Sequence, residues 1–207
     1  YMSELVTVQL RSGLDALEQK DNELPMEVIA RDDDINTMYL EFEQQCIDLI
    51  GLQQPVAATL RIITASFKII TDLERIGDLA TNLAEYASAA DRDVFPEVDI
   101  QHIGVETLDM LTQAMQAYAG EDTECCRAVA THGDTVDELC EAASSTVVQA
   151  LMQRDVATTS GFDSESSIQD VSRLLLSIRD LERVGNHGVN IAARLIYMIE
   201  NDESLLC

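Results

Sequence analysis

The sequence contains no tryptophan, three prolines, two lysines and only 4% aromatic residues among 207 positions. A core built from it must therefore be aliphatic, and a hydrophobic content of 46% suffices for one or two domains. Few prolines, with glycines mostly at apparent turns or inside one repeated motif, argue against a turn-rich β architecture and for an all-α one. No apolar run reaches the roughly 18 residues that span a bilayer. The five cysteines (Cys46, Cys125, Cys126, Cys140 and Cys207) include no Cys-x-x-Cys pair of metal spacing. Their odd number fits a reduced, cytoplasmic setting in which thiols serve as small core residues. The chain opens at Tyr1 inside an apparent helix, so it is expected to be trimmed at the front and after Cys207.

Basic residues are also scarce. Thirteen Lys and Arg face 38 Asp and Glu, for a net charge of −25. Such a surface excludes nucleic acid or an anionic membrane as the main partner. Two readings of the acidity compete. One is a salt-adapted protein, whose self-repulsion is screened by concentrated salt. The other is an acidic docking face. The first needs nothing specific and is preferred.

The chain repeats itself. Residues 70–84 read ITDLERIGDLATNLA and residues 178–192 read IRDLERVGNHGVNIA, with eight of fifteen positions identical. Upstream, Leu10 pairs with Leu111, Ala16 with Ala117, Val28 with Val129 and Asn36 with Asp137, at an offset seven residues shorter. The offset changes where a helix–helix turn is expected, and turns tolerate insertion. A unit of roughly 100 residues is too long for a solenoid repeat. The pattern reads as two tandem, sequence-related antiparallel three-helix bundles, six helices in all, with residues 1–95 as the first unit and 96–207 as the second.

Apolar spacing places helices over about 2–18, 22–54, 56–90, 100–118, 123–154 and 164–200. The third carries Leu60, Ile63, Phe67, Ile70 and Leu73 on one stripe. The last carries Ile168, Val171, Leu175, Ile178, Leu181 and Val184. Asp21 or Asn22 is a cap before the second helix, with Pro25 tolerated in its first turn; Pro55 ends that helix. Residues 91–99, with Pro96, form the linker. The loop 158–163 precedes a cap at Asp163 or Ser164.

Antiparallel hairpins then place side chains opposite one another. About the turn at Pro55, Asn36 faces Glu74 and Asp32 faces Asp78, each pair spaced i, i+4 on its own helix. Three carboxylates and an amide converge, and such an all-oxygen set suits hard cations: magnesium, manganese, calcium or iron. Asn82, one turn on, extends or supports the set. About the second turn, Asp137 faces Glu182 and Gly133 faces Asn186. Two acids are missing there, so that site is expected to bind metal weakly, differently or not at all.

At this acid content roughly seven i, i+4 acid pairs arise by chance, so one Glu-x-x-x-Asp is weak on its own. The duplication and facing register strengthen it, as do Gly77 and Gly185 inside long helices. A structural ion-pair network through Arg75 and Arg183 would use the same residues. The three histidines are scattered in sequence and read as surface or packing residues. No His–Glu metalloenzyme motif, nucleophile triad, phosphate-cradling loop or paired Glu-x-x-His is present, which speaks against an enzyme.

Leu73-Glu-Arg-Ile-Gly-Asp78 and Leu181-Glu-Arg-Val-Gly-Asn186, with Gln54-Pro55, Asn82-Leu-Ala and Asn190-Ile-Ala, make the chain resemble the PhoU family of phosphate-uptake regulators over nearly its whole length. The acidity makes it look like a member from a salt-loving archaeon. The resemblance implies two three-helix bundles. It also implies metal, sometimes as multinuclear iron or zinc clusters, held at positions matching Asp32, Asn36, Glu74, Asp78, Asp137, Glu182 and Asn186. It implies a peripheral cytoplasmic protein that contacts the ATPase of a phosphate ABC transporter and, in bacteria, a sensor kinase. The expected function is negative regulation of phosphate uptake and phosphate-responsive signalling, without an organic cofactor. A metal-storage or metal-sensing bundle and a purely structural oligomer remain alternatives. Long helices with apolar stripes permit a homodimer.

Overall fold

The computed structural model describes residues 1–19, 24–89, 97–157 and 165–206. Six helices account for nearly all of them: α1 (Met2–Gln19), α2 (Leu24–Gln53), α3 (Ala57–Ala89), α4 (Ile100–Gly120), α5 (Thr123–Ala157) and α6 (Glu165–Glu200). No strand occurs among the described residues. The expected caps at Asp21, Asn22, Asp163 and Ser164 and the linker's Pro96 lie outside the described residues.

Local chemistry sets the visible boundaries. Gln54 adopts φ 45°, turning the chain out of α2 just before Pro55. Asp99 caps α4, its side chain accepting from the His102 N–H at 2.9 Å. Glu121 ends α4 in the left-handed conformation at φ 52°, and its N–H returns to carbonyls of the last turn. Asp122 then accepts the Cys125 N–H at 3.0 Å and starts α5.

Each repeat packs its three helices against one another, but the repeats also share a surface. α3 lies on α6 and α1 on α4. One aliphatic cluster runs through both repeats, from Val6, Leu10 and Leu83 to Leu111, Leu181 and Leu195. Gly104 marks the α1–α4 crossing, because a Cβ there would collide with Leu14. Gly13 marks the α1–α3 crossing, where a Cβ would stand 2.7 Å from the Ala80 carbonyl oxygen.

The expected apolar stripes hold near the middle of the helices and fail at one end. Ile63 and Leu73 are buried, but Leu60 is exposed. Val171, Ile178, Leu181 and Val184 are buried, but Ile168 is exposed. α1 has 18 residues against 33 in α3, so the near end of the α2–α3 hairpin runs past its cover. Periodicity reports which face is apolar; only the packing partner's length decides where that face is buried.

Candidate metal centre

The first candidate site forms where α1, α2 and α3 meet. Asp32 of α2 is held from three sides. Gln9 Nε2 of α1 donates to its Oδ1 at 3.2 Å, the Thr81 hydroxyl of α3 donates to the same oxygen at 3.2 Å, and Asn36 Nδ2 donates to Oδ2 at 3.1 Å. Gln9 is fully buried and also reaches the Thr81 hydroxyl at 3.0 Å and the Gly77 carbonyl at 3.3 Å. The close α1–α3 approach at Gly13 makes this reach possible, since Gln9 sits one turn earlier on the same face. Gly77 in turn meets Ile35 across the α2–α3 contact, where a Cβ would lie 3.3 Å from a methyl.

Glu74 and Asp78 complete the set from α3. Burial, the largest cause, pushes the Glu74 carboxyl up from its ordinary range; Asp78 and Asp32 add to this, while Arg75 and His187 oppose it. Burial likewise pushes Asp78 up, with repulsion from Asp32 next, against the pull of Arg183 and Arg75. The three carboxylates expected to converge thus lie within electrostatic reach of one another, and Asn36 bonds directly to one of them. A cleft of about 310 Å³ opens beside them, lined by Asp32, Arg75, Asp78, Thr81, Asn82 and Arg183. Among the described residues, no group of three or more His, Cys, Asp or Glu side chains is placed so that it could hold a metal ion.

The donor chemistry nonetheless fits a hard cation. All of the candidate ligand atoms are oxygens, and burial, with mutual repulsion added, disfavours the charged acids in the absence of a cation. The Gln9 carbonyl oxygen is also buried without a hydrogen-bond partner.

The second repeat keeps the geometry and loses the polarity. By the repeat offsets Gln9 corresponds to Met110, Asp32 to Gly133, Gly77 to Gly185 and Thr81 to Val189. These residues come together as their counterparts do. A Cβ on Gly133 would lie 2.5 Å from a Val189 methyl and 3.6 Å from the Met110 methyl, and one on Gly185 would lie 3.1 Å from Val136. Gly133 is thus a glycine because Val189 fills the space that a side chain would need. Asp137, Glu182 and Asn186 are all exposed. Partial desolvation beside α6, and then repulsion from Asp134, still raise the Asp137 carboxyl. Burial pushes the nearby Cys140 thiol up to about 12, with Glu182 and Asp137 contributing.

The PhoU domain model matches residues 1–87 and 100–195, covering both helical units. The chain belongs to the PhoU family. Over 205 residues it is 31% identical to a phosphate-specific transport system accessory protein PhoU homolog of Pseudomonas aeruginosa, spanning 98% of this chain and 81% of that one. It is 34% identical over 190 residues to PhoU homolog 1 of Methanothermobacter thermautotrophicus, spanning 90% and 82% respectively. The crystal structure of PhoU from Pseudomonas aeruginosa superposes with a TM-score of 0.86 at 30% identity, covering 97% of this chain and 93% of that one. PhoU from Streptococcus pneumoniae gives 0.85 at 25% identity, covering 97% and 91%.

Residues that sequence reasoning passed over join the two PhoU repeats. Asp72 and Asp180 occupy the same motif position and are both buried at the α3–α6 contact. His187 Nδ1 lies 2.8 Å from Asp72 Oδ1, tying the last helix to the first repeat. Asp180 accepts from Asn82 and from the Tyr86 hydroxyl, each at 3.2 Å, and from Arg183 at 3.3 Å. Of the two places expected for His187, surface or packing, it takes the second, buried and paired with a carboxylate. His132 also finds a carboxylate, 2.6 Å from Glu106, which His102 approaches at 3.8 Å. Gln9 carried a detectable signal: it is a polar residue on the buried stripe of Val6, Leu10 and Leu14. Asp72 and Asp180 carried one too, as identical acids in the duplicated motif.

Proposed function

We propose that this PhoU-family protein is a non-enzymatic negative regulator of phosphate uptake and phosphate-responsive signalling. It acts by docking on the ATPase subunit of a phosphate ABC transporter and, where the host has one, on a sensor kinase. The observation that carries this reading is the match to PhoU over both repeats, in relatives named as accessory proteins of phosphate transport. Among the described residues no helix is long and apolar enough to cross a membrane, which agrees with a peripheral role.

In this reading a metal ion at the first site joins α2 to α3. Asp32, Asn36, Glu74 and Asp78 would hold it, and its charge would relieve the repulsion among the carboxylates. Magnesium or manganese suits the oxygen donors best, with iron or zinc as the alternatives. The second set, Asp137, Glu182 and Asn186, is the weaker candidate, because Met110, Gly133 and Val189 stand where the first site has polar groups. The test is capture of partners from the host's own lysate at native salt, with uptake measured after removal of the protein. Recovery of the transporter ATPase and unrestrained uptake at high phosphate are expected. Unchanged uptake and expression would overturn the regulatory reading.

A further inference from the structure

The metal reading leaves Arg75 and Arg183 without a role other than neutralisation. They belong to different repeats, α3 and α6, yet line the same cleft as Asp32 and Asp78. Both act electrostatically on Asp78. In a chain with 13 basic residues and a net charge of −25, two guanidinium groups meeting at one cleft is unusual. A pair of guanidinium groups is an oxyanion clamp, because each presents up to five N–H donors in a planar fork that matches phosphate oxygens. Arg183 spends one of its donors on Asp180, at 3.3 Å, and that bond holds it at the cleft.

The acids supply the other half of the recognition. The cleft itself offers two carboxylates, Asp32 and Asp78, so a cation held there would keep open positions. Magnesium is commonly bound this way, through one or two carboxylates, several waters and the oxygens of a phosphate ligand. Hydrogen phosphate also carries a proton that a carboxylate can accept, whereas sulfate at neutral pH carries none. A lining that mixes guanidinium donors with carboxylate acceptors therefore favours phosphate over sulfate. The cleft, about 310 Å³, has room for a hydrated cation and one small tetrahedral anion, given that a water occupies about 30 Å³.

We propose that this cleft binds inorganic phosphate as a metal-bridged oxyanion gripped by Arg75 and Arg183 across the two repeats. The proposal rests on the metal reading of the first site. It would make the protein a direct reader of phosphate. Bound anion would draw together α3 and α6, whose contact Asp180 already organises through Asn82 and Tyr86.

The test is calorimetric titration of the purified chain in chloride salts, first with magnesium or manganese alone and then with inorganic phosphate on the metal-loaded protein. Phosphate is expected to bind at least tenfold more tightly with metal than without, and sulfate to compete at least tenfold less well. Arg75→Gln and Arg183→Gln should each weaken phosphate at least tenfold while leaving metal affinity within a few-fold. Asp78→Asn should lose the metal. Circular dichroism of each variant checks the fold. Metal binding without phosphate binding overturns this inference and leaves the metal reading standing. Absence of metal binding overturns that reading as well. Phosphate binding that ignores both arginines, occurs equally without metal, or is matched by sulfate also overturns the assignment.

Discussion

Replacing Gly13 with alanine should separate the α1–α3 contact from everything else in the fold. The new Cβ would stand 2.7 Å from the Ala80 carbonyl oxygen, and ordinary contact begins near 3.4 Å, so a shift of 0.7 Å is required. The atom in the way is backbone of a long helix, which cannot rotate aside. Overpacking of this kind costs about 1–3 kcal/mol. Alanine in place of glycine within a helix returns about 1 kcal/mol. The net expected loss is about 0–2 kcal/mol, or a fall of up to roughly 8 °C in Tm for a chain of this size. Gly51→Ala supplies the counter-case: nothing lies within 4 Å of its Cβ, so only the helix preference remains and stability should rise by about 0.5–1 kcal/mol. The same 0.7 Å displacement carries Gln9 away from Asp32, Thr81 and the Gly77 carbonyl. Gly13→Ala should therefore weaken metal binding at the first site as well, whereas Gly51→Ala should not. Urea unfolding of both variants at native salt, followed by metal titration, gives the readings. A Gly13→Ala protein as stable as Gly51→Ala would refute the close-approach reasoning.

Gly133→Ala should cost a net of about 0–2 kcal/mol, because its Cβ would lie 2.5 Å from Val189 while the helix preference returns about 1 kcal/mol; Val189→Ala added to it should relieve the clash in a double-mutant cycle. The folded-state Glu74 and Asp78 carboxyls lie above their ordinary range. The folded state therefore takes up protons before the unfolded chain does. The metal-free protein should gain stability as pH falls through those raised values and lose it as pH rises again. A saturating divalent cation should flatten this slope in thermal melts across pH 4 to 7 if it occupies the site. Asp180→Ala leaves Asn82 and Tyr86 as donors at a buried interface, and Asp72→Ala does the same to His187. Each should cost about 1–3 kcal/mol, and amide exchange should show the loss concentrated along α3 and α6.

Much of the molecule was legible in the sequence because helices are local. The six spans followed from apolar periodicity and from Pro25 and Pro55. The register of the first hairpin was legible because its turn fixes it, and Asp32 does come within electrostatic reach of Glu74 and Asp78. The duplication made the family recognisable, since two copies of Leu-Glu-Arg-x-Gly at matching places are far more specific than one. What the sequence could not show is anything that depends on helices far apart in the chain. Gln9 reaches Asp32 only because Gly13 lets α1 close on α3. His187 meets Asp72 across 115 residues of chain. Arg183 enters the first repeat's cleft from α6. Covalent spacing and helical pitch constrain neighbours within a hairpin, whereas the placement of one repeat on the other depends on the fit of buried surfaces. That fit alone decided which acids are locked at the interface and which are left open in the cleft.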